Sequence, residues 1–447
     1  MLAATVRFDQ ARLARPRGPL HANRSHSTPA RRVIRPLRDF LATQAASGIL
    51  LVLAAGVALV WANSPWKGAY ERLWTSHLDV RLAGRVLALD LRHWVNDGLM
   101  TLFFFVVGLE IKRELAEGEL KDPRRAALPA FAALGGMIVP AMLFAAFNRG
   151  GAGGHGWGIP MATDIAMALG VLALLGSRAH PSLKLFLLAL AIVDDIGAII
   201  VIAVFYSNGI DGRMLALAAA LVGLVVAAKW FGVHHVGAYV VLGAALWLAT
   251  HEAGIHATIA GVVLGLLAPT KPIVIAEFVD EAALGDISTF EAAEETSRLA
   301  RQSVSVVEWL EHRLQPWTSY VIVPLFALAN AGISVDVASL RRASTSSVTL
   351  GVIVGLVVGK TIGVSLASWI AVRTGVASLP EGVTWRTLVG AAALAGIGFT
   401  VSMFVAGLAF TDPAVEADAK LGIVAASLIA AVVGTLVLRS KPRFRDA

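Results

Sequence analysis

The chain has 447 residues, of which 57% are apolar and only 15% charged, with a mean hydropathy of +0.71. Soluble domains carry about 25% charged residues, so these values exclude a soluble globule and a disordered chain alike. Cysteine is absent, which excludes disulfides and thiolate metal sites, and most of the net charge of +7 lies in the tails, where it reads as a membrane-topology signal rather than a nucleic-acid footprint.

Residues 1–39 hold nine arginines, no lysine, and only Asp9 and Asp39 as acids. No apolar core precedes Phe40, so this segment reads as a disordered, basic cytoplasmic tail and not as a secretory signal; an Arg-rich transit peptide is the other composition it fits. From residue 40 to 438 apolar stretches recur with short punctuated loops between them. A membrane helix needs roughly 20 apolar residues, so with about 60% of the chain in such helices there is room for roughly 13. Spans are expected near 40–62, 93–111, 126–147, 160–176, 183–206, 213–231, 236–250, 255–268, 317–334, 348–372, 387–410 and 420–438. The fold class is thus an all-α polytopic membrane protein with about twelve crossings. An even count leaves both termini on one side. Loops 112–125 and 269–316 and the basic tail 439–447 (Arg439, Lys441, Arg443, Arg445) fall on the side of the Arg-rich N-tail, which places both termini in the cytoplasm. Arg341 and Arg342, and five basic residues in the first outer loop, run against that trend.

Two loops stand out. In 77–91, Leu78, Val80 and Leu82 alternate, then Leu87, Leu89 and Leu91, with a turn at Ala83-Gly84; an external β-hairpin is expected. A lone hairpin is marginal in water, so it is expected to pack on something, a second protomer being one choice. In 269–316 the acids Glu277, Asp280, Glu281, Asp286, Glu291, Glu294 and Glu295 predict a solvated amphipathic helix or disorder.

Charge inside a span is the sharpest signal. Placing Asp or Lys at a helix centre costs about 2.5–3.5 kcal/mol on the insertion scale, and such residues normally face a protein interior or a wet cavity. Asp194 and Asp195 sit at the middle of the fifth stretch and Lys360 at the middle of the tenth. Adjacent helical residues point about 100° apart, so one aspartate should face a cavity while the other reaches a neighbouring helix. Thr163 and Asp164 follow Pro160, where a helix can break. Three aspartates against one lysine leave an acidic interior suited to a cation. The blander reading, a structural ion pair of Lys360 with one aspartate, leaves the remaining carboxylates unexplained. Asp164 has its own alternative, the stabilisation of a helix terminus. A second interruption is expected at Gly396-Ile397-Gly398, because glycine permits extended backbone inside an apolar span.

These residues lie in stretches that resemble the NhaA-type bacterial sodium/proton antiporters. The matching runs are 94–100 (WVNDGLM), 107–115 (VGLEIKREL), 162–166 (ATDIA), 191–198 (AIVDDIGA), 254–258 (GIHAT), 326–332 (FALANAG), Gly359-Lys360 and 396–400 (GIGFT), in order along residues 40–438. That family is itself a standard example of interrupted-helix transporters. The resemblance implies twelve helices in an inverted-repeat fold, two of them discontinuous and crossing at the midplane. It implies that Asp194 and Asp195, with Thr163 nearby, bind Na+ or Li+ in competition with protons, and that Asp164 and Lys360 balance the half-helix ends, Lys360 with Asp194 as a further pairing. Glu110, Arg113, Glu114, His256 and the region of Glu311 carry pH response in the family, and Asp97 matches a family acidic position. A homodimer through hairpin 77–91, a location in the bacterial inner membrane among its lipids, no cofactor and no enzymatic reaction are also implied. Trp309 and Gln315 depart from the usual family residues, arginine and histidine.

The expected activity is electrogenic, pH-regulated exchange of cytoplasmic Na+ or Li+ for external H+, serving sodium and pH homeostasis. An uncoupled cation channel is the alternative. An intramembrane aspartyl protease needs two aspartates facing each other across a substrate, which neighbours on one helix do not supply.

Overall fold

Alternation of apolar stretches with short capped breaks produces a chain of helices. The computed structural model describes residues 29–440 apart from 83–84, 177–178, 208, 234 and 271–304. The acidic stretch 277–295, the turn at 83–84 and most of both basic tails lie outside the described residues. The chain divides into two units after Phe40. Residues 29–40 of the first are helical, and the second, from Leu41 onward, holds the remaining elements.

The helices are α1 (Pro29–Ala62), α2 (Lys67–Trp74), α3 (Leu91–Ala116), α4 (Pro123–Phe147), α5 (Ile165–Leu174), α6 (Pro181–Phe205), α7 (Gly212–Trp230), α8 (Val236–Glu252), α9 (Thr258–Leu267), α10 (306–330), α11 (Val337–Thr345), α12 (Ser347–Arg373), α13 (Trp385–Ala395), α14 (Phe399–Ala409) and α15 (Pro413–Arg439). Their starts are written locally. Asp122, Asp211 and Asp412 each accept a backbone N–H two residues on, and Pro123, Pro181 and Pro413 occupy the first helical position, where no N–H is missed. Among the described residues, six helices are long and apolar enough to cross a membrane, or up to nine if each of three bent pairs counts once.

Strands β1 (His77–Leu82) and β2 (Arg85–Asp90) pair antiparallel, with Leu78 opposite Leu89 and Val80 opposite Leu87. Leu91 does not continue the alternation. The Asp90 carboxylate accepts from the His93 N–H at 2.7 Å and starts α3 there. Trp94 Nε1 donates to the Leu78 carbonyl at 3.0 Å and ties the hairpin to α3. A second difference from expectation concerns 306–316, which begins α10 as a helix with Ser305 as its cap instead of belonging to a loop.

Small residues bring the central helices together. On the α4–α12 seam, a Cβ on Gly135 would strike the Gly363 carbonyl oxygen, and a Cβ on Gly363 would strike that of Gly135. On the α3–α9 seam, Gly261 lies against the Thr101 carbonyl and Gly108 against that of Val262. Close backbone approach of this kind is how helices associate where apolar burial gives no net drive. It also sets α12, and with it Lys360, against α4. Gly363→Val therefore wedges α12 from α4 and should cost about 1–3 kcal/mol, read as a lower midpoint of thermal unfolding in detergent. Gly223→Ala, on α7 with nothing within 4 Å of the new Cβ, should not lower it.

Candidate ion-binding site

The site is built where two helices are interrupted. The turns of 3-10 helix at 153–161 and α5 meet at 43° across residues 162–164, and α13 and α14 meet at 44° across 396–398. Each break leaves backbone groups without partners at depth, where no water replaces them. The two breaks satisfy each other. The Asp164 N–H donates to the Ile397 carbonyl at 2.6 Å, and the Thr163 hydroxyl donates to the Ala395 carbonyl at 2.9 Å. The Asp164 carboxylate accepts from the Met167 N–H at 3.0 Å through Oδ1, and through Oδ2 from the Thr400 N–H at 3.0 Å and hydroxyl at 2.6 Å. It therefore caps α5 and α14 together, placing negative charge at two partially positive ends.

Gly396 and Gly398 do hold this crossing, but not through extended backbone. Their φ values are −69° and −100°, open to any residue. What excludes a side chain is space. A Cβ on Gly396 would strike the Leu356 carbonyl, and one on Gly398 the Ser402 hydroxyl, with the Ala162 carbonyl 3.0 Å away.

Asp194 and Asp195 lie midway along α6 and diverge. Asp194 is 0% exposed, and its Oδ2 accepts from Lys360 Nζ, also 0% exposed, at 2.5 Å. Its Oδ1 is buried beside Thr163 without a hydrogen bond of normal geometry. A π-helical turn at Val354–Gly359 immediately precedes Lys360 and, by inserting an extra residue, resets the face on which the lysine lies. Lys360 bonds to Asp194, while the carbonyls of Ala395 and Ile397 accept from Thr163 and Asp164. Asp195 instead lines a cavity of about 70 Å³, together with Thr163, Asp164, Glu110 and Thr400. Oxygens dominate the polar part of this cavity, a donor set suited to a hard monovalent cation.

Of the residues grouped by pH response, Glu110, Arg113, Glu114 and Glu311 lie within electrostatic reach of one another, and His256 lies apart. Arg113 forms a very short contact with Glu311 and lies 3.7 Å from Glu114. Glu110 joins no ion pair among the described residues and lines the cavity instead. His256 lies elsewhere, its Nε2 2.8 Å from the Tyr206 carbonyl at the end of α6. Asp97 sits in a π-helical turn, Trp94–Leu99, with its carbonyl accepting from Trp247 Nε1 at 3.1 Å. Sequence reasoning gave no role to Thr400 or Gln315. Thr400 had a legible signal, a hydroxyl two residues past Gly398. Gln315 was marked by its departure from the usual family histidine, but its facing depends on how α10 packs.

The family model described as Na+/H+ antiporter 1 matches residues 38–438. A Na+/H+ antiporter NhaA 2 of Sorangium cellulosum is 48% identical over 433 residues, covering 92% of each chain. NhaA 3 of Frankia alni is 47% identical over 407 residues, 90% of this chain and 88% of that one. NhaA of Rhodopirellula baltica is 46% identical, covering 93% and 96%. The solved antiporter MjNhaP1 of Methanocaldococcus jannaschii overlays 91% of this chain and 99% of its own at a TM-score of 0.47 and 13% identity. These relatives are transporters, and they lend the uncoupled-channel alternative no support. The chain belongs to the Na+/H+ antiporter 1 family, a family of multi-pass membrane antiporters.

Proposed function

We propose that the chain exports Na+ or Li+ from the cytoplasm in exchange for external protons, with both competing for Asp194 and Asp195. The observation that carries this is the division of the buried acidic pair: one carboxylate is held by an ammonium, the other faces a cavity. A carboxylate cannot bind a cation well while protonated. Burial favours the neutral acid and a nearby ammonium favours the anion, so such a pair can load and release protons as a coupled unit. Cation binding from inside expels protons; rocking of one bundle turns the site outward; protons there displace the cation. Because more protons enter than cations leave, the membrane potential drives the exchange. Asp164, with both half-helices on one carboxylate, keeps the crossing intact and binds no cation directly.

The proposed topology has twelve crossings: the six long helices and three bent pairs, together with α8, α9 and α10. Both termini face the cytoplasm of a bacterial inner membrane, the hairpin lies outside, and two copies pair through it. Arg113, Glu114 and Glu311 form the pH-responsive cluster, with Glu308 the next acid along α10, and His256 acts separately through Tyr206.

Inside-out vesicles acidified by respiration and reporting through a pH-sensitive dye test the exchange. Na+ or Li+, but not choline, should collapse the gradient, and the absence of a response from mildly acid to alkaline pH would refute it. Asp194→Asn and Asp195→Asn should each reduce the response to background. In the same assay Glu311→Gln, which cannot form the ionised pair with Arg113, should shift the activation profile while keeping a high maximal rate. An unchanged profile would remove Glu311 from the sensing cluster.

A further inference from the structure

We propose that the chain holds a second, weaker cation station on the way to Asp195, formed by the Glu110 carboxylate of α3 with the Gln315 amide oxygen and the Ser319 hydroxyl of α10. The family resemblance groups Glu110 with Arg113 and Glu114, and of the three it is Glu110 that lines the cavity. Arg113 pairs with Glu311 and Glu114, two carboxylates to one guanidinium, and Glu110 has no ion pair of its own among the described residues. Glu110 faces the cavity that also holds Asp195.

Across from it, Gln315, Thr318 and Ser319 fall at i, i+3 and i+4 and share one face of α10. The Thr318 hydroxyl donates to the Gln315 backbone carbonyl at 2.9 Å, a bond that does not use the Gln315 side-chain amide, and Gln315 lines the cavity. A π-helical turn begins at Thr318 and widens the helix there. Holding one water takes about 10–15 Å³, and a cavity of about 70 Å³ has room for a cation with part of its hydration shell.

The chemistry of transfer requires such a station. A cation cannot shed its whole shell at once to reach a carboxylate only 6% exposed. Passage demands intermediate sites attractive enough to enter and weak enough to leave. One carboxylate with neutral oxygens supplies that beside the stronger Asp194–Asp195 pair. Gln315 keeps its neutral carbonyl at every pH, so this part of the station does not titrate.

The inference rests on Asp195 as the cation-binding carboxylate. Line broadening of the 23Na NMR signal by the purified full chain in detergent tests it. Wild-type protein should give two saturable components whose midpoints differ by at least about tenfold. Asp195→Asn should remove the tighter and leave the weaker. Adding Glu110→Gln should remove the weaker as well, adding Glu110→Asp should retain it, and adding Gln315→Leu should weaken it about threefold. Loss of all saturable broadening in Asp195→Asn alone, or its survival in Asp195→Asn/Glu110→Gln, would overturn the station. Survival of the tighter component in Asp195→Asn is a distinct result that overturns the reading of Asp195 itself and the proposal with it.

Discussion

The Asp164 carboxylate accepts hydrogen bonds from two helix starts at once, and the centre of the protein depends on that arrangement. Interrupting a helix at membrane depth exposes N–H and C=O groups that lipid cannot satisfy. Two interruptions brought face to face remove the problem, because the free N–H groups of one segment and the free carbonyls of another become partners. Asp164 and Thr163 supply these bonds from one strand of the crossing, and Thr400 from the other. Packing has to bring the strands that close, which is why side chains are missing at Gly396 and Gly398. The crossing then has little freedom of its own, and Lys360 and Asp194 meet beside it in a region with no exposure to solvent.

Much of this was legible in the chain because charge in an apolar run is so costly. Asp194, Asp195, Asp164 and Lys360 stood out for that reason alone, and the turn of a helix requires neighbouring aspartates to diverge. Asp195 in the cavity and Asp194 on Lys360 are the geometric form of that divergence. What escaped depends on packing between distant segments. The ends of α13 and α5 are 232 residues apart at the Thr163–Ala395 bond, and no local pattern announces it. The glycines were legible as a break, but the reason for them was not. Extended backbone and a lack of space leave the same residue in a sequence, and only the neighbouring Leu356 and Ala162 carbonyls tell them apart. Glu311, read as part of a loop, lies on a helix, since an amphipathic run beside a charged segment has no apolar span to mark it.

The pairing of Lys360 with Asp194 bears on coupling. A channel needs a path that remains open to the next ion. Here the buried ammonium and an arriving cation carry the same charge and would share one carboxylate, and at such depth neither is screened by water. Both cannot occupy Asp194 together unless a proton departs or the ammonium moves away. On the proposed reading, cation entry is therefore tied to a loss of positive charge from the same site. Charge at depth favours the exchange of one positive species for another over accumulation of both, and on the proposed reading the acidic pair and the lysine make use of that constraint.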